Sequence, residues 1–183
     1  MKSIVTILIA MLAGYVLHAI VPSPVAQSAQ DKKLAVGTSP QKKAEALGIT
    51  FEKIKPGYLN RCVRSGSLLF TSGHTSKIKG RLGKDLTVEQ GREAAKECVI
   101  EVLRAVHDRH GTLDNLRVVK VLGCVNSTPD FIDQPKVING CSDLLHEIFG
   151  AQTDGWHARS ELGFASLPNG VAVEIEAIFE IRP

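Results

Sequence analysis

The chain ends in the sequence Val171-Ala-Val-Glu-Ile-Glu-Ala-Ile-Phe-Glu-Ile181. Apolar side chains occupy every second position, and glutamates fill three of the five places between them. Because successive side chains of a β-strand point to opposite faces, this alternation predicts a strand with one face under helices and one acidic face. The helices leave the acidic face uncovered within one subunit. Three such sheets packed together would cover it and form a closed oligomer with clefts between subunits.

The chain before this strand carries the signals of two helices and four further strands. Residues 62–72 predict two short strands joined at Ser65-Gly66. Thr87 and Gln90 form a capping box that begins a helix, and Gly111 ends it. Residues 117–126 are apolar on both faces, which predicts a central strand covered by a helix.

The last third of the chain completes the sheet. Asp133 and Pro135 begin a second helix, which ends at Gly150. Residues 159–166 predict a strand that the turn Leu167-Pro-Asn-Gly170 joins to the last one. The predicted order is ββαβαββ, an α+β fold with both helices on one face of the sheet.

The first thirty residues contain a single Lys, Arg, Asp or Glu, namely Lys2. An apolar run over residues 4–21 follows it, and Ser28 is a candidate last residue before cleavage. The run is long for a signal peptide and long enough to span a bilayer, so a cleaved signal and a retained anchor both stay open, with a buried helix as a third alternative. Under the first two, the protein is exported to the periplasm or the outside, or is attached to a membrane through residues 4–21 with its domain outside the cytoplasm.

We therefore expect three segments in the chain. Residues 1–28 form the signal or anchor, residues 29–47 a polar spacer with a short helix, and residues 48–183 the folded domain. In the spacer, Ser39 suits a helix N-cap, Pro40 its first turn and Gly48 its end.

Composition and motif content exclude several function classes. A net charge of +3 gives no broad positive surface for nucleic acid. The five histidines of the domain share no metal-ligand spacing, so we expect no metal. They also form no pair at a plausible ribonuclease site, which disfavours ribonuclease activity. No Gly-x-Ser-x-Gly, phosphate loop or dinucleotide motif occurs. The irregular spacing of the cysteines favours core residues, although a disulfide stays open; these are Cys62, Cys98, Cys124 and Cys141.

Arg159 and Glu174 are the main candidates for a functional site. Arg159 faces the same way along its strand as Glu161, and Glu174 lies on the strand expected to be adjacent, so we expect it to neighbour one of them. A guanidinium binds a carboxylate through two hydrogen bonds, and a carboxylate positions water or moves a proton. The alternative is a surface or interface salt bridge. Ser72 and Gly73, at a strand end, offer further donors to a ligand.

Several of these motifs together resemble the RidA (YjgF) family. The C-terminal signature of that family is similar to His157-Ala-Arg-Ser160, Leu167-Pro168 and Val173-Glu-Ile-Glu-Ala-Ile178 in this order. Its Ser-Gly strand end resembles Leu69-Phe-Thr-Ser-Gly73, and its mid-chain helix region resembles Asp130-Phe131 with Asn139. Residues 133–145 resemble a branch with a longer loop, and the whole resemblance covers about residues 48–183.

The resemblance implies a fold, an assembly and an activity. Family members have a chorismate-mutase-like α+β fold and form homotrimers with a cleft at each subunit interface. They hydrolyse small reactive enamine and imine acids, such as 2-aminoacrylate and 2-iminopropanoate, to a 2-oxo acid and ammonia without a metal or organic cofactor. By this resemblance Arg159 binds the substrate carboxylate and Glu174 positions or activates water. Ser72, the Gly73 backbone and Asn139 help to hold the substrate.

Two positions depart from the family pattern. Glu161 stands where relatives carry a small or apolar residue, so it either neutralises Arg159, serves a different substrate or forms an interfacial ion pair. Leu59 stands where the family often has an aromatic residue, with Tyr58 one position away. Two other functions therefore stay open: a non-catalytic trimer that binds small acids or acts like a chaperone and, less favoured, an endoribonuclease.

Overall fold

The computed structural model describes residues 39–183, which form the helices and strands of one folded unit. In these residues the α-helices are α1 (Pro40–Ala46), α2 (Val88–His110) and α3 (Gln134–Phe149). The strands are β1 (Cys62–Ser65), β2 (Leu68–Thr71), β3 (His74–Thr75), β4 (Leu116–Asn126), β5 (Ala158–Phe164) and β6 (Val173–Ile181). The expected signal or anchor at residues 1–28 lies outside the described residues. Among residues 39–183, no helix is both long and apolar enough to cross a bilayer.

The sheet has the strand order β1-β2-β6-β4-β5, and the two-residue β3 also pairs with β6. All neighbours are antiparallel except β4 and β5, which run parallel. Helices α2 and α3 pack against each other, α2 against β6 and α3 against β4 and β5. This confirms the expected α+β fold, with β3 as an addition that the sequence did not indicate.

The expected pairing of the last two strands is wrong, because β4 lies between β5 and β6. Helix α3 connects β4 to β5, and a strand-helix-strand connection brings the second strand back parallel to the first. Strand β5 therefore occupies one edge of β4 and β6 occupies the other. The turn at residues 167–170 spans β4 rather than closing a hairpin, with Asn169 at φ 55°.

The alternation of β6 confirms the expected two faces of the sheet. Val173, Ile175 and Phe179 have no exposed surface and Ala177 is 3% exposed, whereas Glu176 on the other face is exposed. Phe179 packs against Phe149 of α3, with ring centroids 6.1 Å apart. The core therefore lies between the sheet and the two long helices.

The helix ends follow the local sequence signals. The Thr87 side chain accepts a hydrogen bond from the Gln90 backbone while the Gln90 side chain caps Thr87, as the capping box predicts. Gly111 ends α2 with φ 94°, a conformation that glycine adopts without steric cost. At the middle of α3, Gly140 lies so close to the Arg92 carbonyl of α2 that a Cβ there would overlap its oxygen.

The short helix α1 is packed onto the domain. Ala44 is fully buried in the core, and the Gln41 side chain accepts a hydrogen bond of 3.0 Å from the Leu113 backbone. Ser39 caps the helix, accepting from the Lys42 backbone at 3.5 Å. The helix has the expected caps, but it belongs to the same folded unit as the residues after it.

The sheet face opposite α2 and α3 carries apolar side chains as well as the expected acids. Register places four of its larger exposed side chains there: Val63, Phe70, Leu162 and Phe164, between 39% and 48% exposed. We call this surface the open face. Within residues 39–183 no helix covers it, and exposed apolar groups beside acids are typical of an interaction surface.

All four cysteines are free thiols. Three are buried, and burial raises the pKa of Cys62 to about 11 and that of Cys141 to about 12. A raised pKa keeps the thiol protonated, so these side chains act as small core residues, as their spacing predicts.

Candidate active site

Arg159 lies on the edge strand β5 and points toward the helix side of the sheet. It pairs in register with the buried Val121 of β4, and paired residues of neighbouring strands share a face. From α3, Asn139 Oδ1 accepts a hydrogen bond from Arg159 Nη1 at 2.9 Å, and Ser142 Oγ accepts another from Nη1 at 3.1 Å. The structure therefore brings together two of the expected site residues, Arg159 and Asn139.

Glu161 holds the other edge of the Arg159 guanidinium. Glu161 Oε2 lies 3.3 Å from Arg159 Nε, and Oε1 lies 3.5 Å from Nη2. Both side chains are 22% exposed, so the pair is partly shielded from water. Since a guanidinium has about five N–H donors, one N–H on Nη2 has no partner among residues 39–183. We call Asn139, Ser142, Arg159 and Glu161 the Arg159 half-site.

Glu174 lies on β6 and points to the open face, together with Ser72 and Gly73. A Cβ on Gly73 would overlap Glu174 Oε1, so the carboxylate lies directly over the Gly73 backbone. Ser72 Oγ donates a hydrogen bond of 2.7 Å to the Asn60 carbonyl. Among residues 39–183, no basic side chain forms an ion pair with Glu174. We call Ser72, Gly73 and Glu174 the Glu174 half-site.

The two half-sites do not meet within one chain, so the expected contact of Glu174 with Arg159 or Glu161 is wrong. Strand β4 separates them, with Val121 opposite Arg159 and Cys124 opposite Glu174. Because these two positions are three residues apart on one strand, their side chains point to opposite faces of the sheet. Arg159 therefore lies on the helix face and Glu174 on the open face.

A cavity of about 450 Å³ opens beside Ser72 and Gly73. Leu59 lines it and is 67% exposed, whereas the neighbouring Tyr58 projects into solvent. The position at which the family often has an aromatic residue therefore lies at this cavity with a leucine in place. The side chain offers contact area there but no hydroxyl donor.

Behind this cavity a polar cluster supports the strand end. Arg61 Nη2 donates to His74 Nδ1 at 3.2 Å and to Glu101 Oε2 at 2.8 Å, and Arg104 binds the other Glu101 oxygen at 2.6 Å. Burial would raise the pKa of Glu101, but the two arginines outweigh it and lower that pKa. Burial and the Arg61 charge lower the pKa of His74, which keeps its imidazole neutral. The cluster therefore holds Arg61 and the strand end in place.

Three aromatic side chains that were not among the expected site residues lie beside the Arg159 half-site. His146, Trp156 and His157 line a cavity of about 250 Å³ with Asn139, Ser142, Asp143 and Arg159. The ring centroids of His146 and His157 are 5.4 Å apart, so the domain does contain a histidine pair beside a cation. A signal existed, because Asn139, Ser142 and His146 are three and four residues apart and share one helix face.

No group of three or more His, Cys, Asp or Glu within the described part of the chain could hold a metal ion. The guanidinium and the donor groups beside Arg159 suit a small anion instead. The Arg159 half-site offers a guanidinium and amide and hydroxyl groups, and the Glu174 half-site offers a carboxylate and a hydroxyl.

The sheet, the two helices on one of its faces and the half-sites define a chorismate-mutase-like α+β protein. The model of the endoribonuclease L-PSP family matches residues 53–181, so the chain belongs to this family, which includes the RidA and YjgF proteins. The expected family membership is thereby confirmed.

Three relatives illustrate the similarity. Protein TCP17 of Trypanosoma cruzi is 42% identical over 127 residues, which cover 66% of this chain and 79% of that protein. A protein of unknown function from Agrobacterium tumefaciens has a TM-score of 0.71 and 34% identity over 79% of this chain and 94% of its own. A candidate endoribonuclease from Shewanella oneidensis has the same TM-score at 26% identity, covering 78% of this chain and 99% of its own.

Proposed function

We propose that the protein hydrolyses small reactive enamine and imine acids to 2-oxo acids and ammonia, at a site that two subunits of a homotrimer share. The observation that carries this proposal is the split between the Arg159 half-site and the Glu174 half-site. The Arg159 half-site supplies a guanidinium, the Glu174 half-site supplies a carboxylate without an ion pair among residues 39–183, and the two point to opposite faces of the sheet. A second copy of the chain packed on the open face would complete the site.

The chemistry asks little of such a site. An imine carbon is already electrophilic, so hydrolysis needs orientation of the substrate and of water and a path for protons. Arg159 binds the substrate carboxylate, for which a planar guanidinium is well suited. Asn139 holds Arg159 through its Oδ1 and keeps its Nδ2 as a donor for the substrate. Glu174 accepts a hydrogen bond from the attacking water and orients it, while Ser72 and the Gly73 backbone border the substrate.

Glu161 competes with a substrate carboxylate for Arg159. Its carboxylate already occupies the Nε and Nη2 edge of Arg159. A substrate carboxylate must therefore displace it or use the remaining N–H of Nη2. The site is thus expected to bind small carboxylates more weakly than an unpaired arginine would.

The test measures the decay of 2-iminopropanoate generated in situ. The full chain should accelerate decay above the rate in buffer, and Arg159→Ala should remove the acceleration because the carboxylate loses its partner. The control is Arg64→Ala, since Arg64 lies on β1 and donates to the Gly66 carbonyl. Equal rates of 2-iminopropanoate decay with wild type and with Arg159→Ala would contradict the enzymatic proposal. Saturable binding of a small acid that Arg159→Ala abolishes, without ammonia release, would instead favour a binding or chaperone-like trimer.

A second candidate, endoribonuclease, is favoured by one observation. The rings of His146 and His157 lie 5.4 Å apart beside Arg159, and Trp156, 63% exposed, offers a surface on which a base could stack. The net charge of +3 gives little attraction for a polyanion, so this function ranks second. Incubation with single-stranded RNA without protein-dependent cleavage removes it.

A further inference from the structure

A chain of hydrogen bonds joins the Gly155 backbone, His157, Ser142 and Arg159. His157 Nδ1 lies 2.6 Å from the Gly155 carbonyl oxygen, and His157 Nε2 lies 3.0 Å from Ser142 Oγ. A carbonyl oxygen only accepts, so Nδ1 carries the proton and Nε2 presents its lone pair. The Ser142 hydroxyl therefore donates to Nε2 while Oγ accepts from Arg159 Nη1 at 3.1 Å.

This arrangement polarises the Ser142 hydroxyl from both sides. The Arg159 cation donates to its oxygen, which favours negative charge there, and the imidazole is ready to accept its hydrogen. A hydroxyl held against a base that a third group orients is the geometry of activated serines. Ser142 is 5% exposed and lines the Arg159 cavity, so it lies between the imidazole and the space for a substrate.

The surroundings of His157 keep it able to accept a proton. Burial lowers its pKa below the usual value of 6.5, the nearby His146 and Arg159 add to this, and the hydrogen bond to the Gly155 carbonyl partly opposes it. The titratable and charged groups that line the same cavity are His146 and Asp143 from α3 and Arg159 from β5, and Glu161 pairs with Arg159. Asp143 is engaged by Arg92 of α2 at 2.6 Å.

We propose that Ser142 and His157 form a proton relay that serves the Arg159 cavity, a role that rests on the proposed imine hydrolysis. Water, oriented by Glu174 of a second subunit, attacks the carbon of the protonated imine, and the C=N π electrons move to nitrogen. The water gives a proton to Ser142 Oγ as Ser142 passes its own proton to His157 Nε2. The imidazolium then returns a proton through Ser142 to the carbinolamine nitrogen. The C–N bond breaks, the 2-oxo acid forms, and the hydroxyl proton leaves with the ammonia as ammonium.

The first test does not depend on turnover. Nitrogen-15 NMR of the labelled full chain should show His157 protonated at Nδ1 and unprotonated at Nε2 at neutral pH. Its titration midpoint should lie below 6.5. Protonation at Nε2 in the neutral ring would overturn the relay, because that nitrogen could not accept from Ser142.

The second test separates proton transfer from positioning. In His157→Gln, the side-chain oxygen can still accept from Ser142 and so keep Arg159 in place, but it cannot take up a proton. We expect kcat for 2-iminopropanoate to fall about 100-fold with KM nearly unchanged. Because protonated His157 cannot accept, wild type should lose activity as the pH falls below 6.5, and the variant should lack this acid limb. Added imidazole should partly restore His157→Ala.

The controls keep the outcomes distinguishable. His110→Gln, at the end of α2, should leave kcat unchanged, and circular dichroism checks that each variant is folded. A His157→Gln protein with wild-type kcat and pH profile would overturn the relay and leave a positioning role. Wild type without any acceleration of imine decay would overturn the proposed function, and the relay with it, whatever tautomer the NMR shows.

Discussion

Glu161 forms an ion pair with Arg159, the main candidate for binding a substrate carboxylate. The two side chains lie two positions apart on β5 and share a face, so their ion pair follows directly from strand geometry. The sequence left open whether this glutamate neutralises Arg159, and the structure shows both oxygens against the guanidinium edge. A small carboxylate that binds Arg159 must therefore compete with a carboxylate of the chain itself.

At this scale we predict that Glu161→Ala strengthens the binding of small carboxylates. An ion pair with partly exposed partners is worth up to about 1 kcal/mol, so the Kd of an unreactive 2-oxo acid such as 2-oxobutanoate should fall about fivefold. Calorimetric titration measures it. Glu161→Gln, which keeps the shape and removes the charge, should show a similar gain, and an unchanged or higher Kd in both variants would contradict the competition.

The packing of the two long helices, α2 and α3, positions the Arg159 half-site. Asn139 and Ser142 both come from α3, so their distance from Arg159 depends on how closely α3 lies on the sheet and on α2. Gly140, between them, touches the Arg92 backbone and allows this close approach. A change there therefore acts on stability and on the site together.

We predict that Gly140→Ala destabilises the domain by about 2 kcal/mol, the typical effect of overpacking a close contact. The added methyl group overlaps a backbone carbonyl, which cannot move aside as a flexible side chain would. Urea denaturation measures the free energy of unfolding. Glu147→Ala, on the exposed side of the same helix, should cost far less, and equal losses in the two variants would count against the close contact.

At the scale of the whole molecule, the open face and the divided site point to the same assembly. The exposed apolar residues Phe70, Leu162 and Phe164 need cover, and the Glu174 half-site lies on the same face. A trimer that buries this face would bring Glu174 of one subunit toward Arg159 of another. Sedimentation should therefore show a trimer, and a folded monomer would contradict it.

Mixed variants test whether subunits share the site. Arg159→Ala and Glu174→Gln should each be inactive in imine hydrolysis as pure trimers. After subunit exchange, each mixed trimer contains one interface of three with both residues intact, so activity should reappear at roughly a quarter of the wild-type level when equal amounts mix at random. As a control, each variant is mixed with wild type, which measures how far an inactive subunit lowers the activity of a mixed trimer. Exchange confirmed by mass without any return of activity would contradict a site shared between subunits.

Much of this fold could be predicted from local patterns in the sequence. The alternation of β6, the capping box of Thr87 and Gln90 and the glycines at 111 and 150 depend on backbone geometry over a few residues, and all appear in the structure as expected. The same alternation also predicted which face of the sheet lies under the helices. The likeness of the C-terminal motifs to one family was equally visible in the sequence.

Only the tertiary structure decided how the parts of the site relate. Sequence proximity suggested that β5 and β6 are neighbours, but the crossover through α3 places β4 between them and sends Arg159 and Glu174 to opposite faces. His157 approaches Ser142 and His146 of α3 because a helix packs over a strand edge, a contact between distant parts of the chain that no local pattern encodes. The sequence by itself determined the long helices, every strand except β3, the faces of β6 and the family, since these depend on short-range geometry and on recognisable motifs. Strand order and the partners of each charged group required the structure, because they depend on long-range packing.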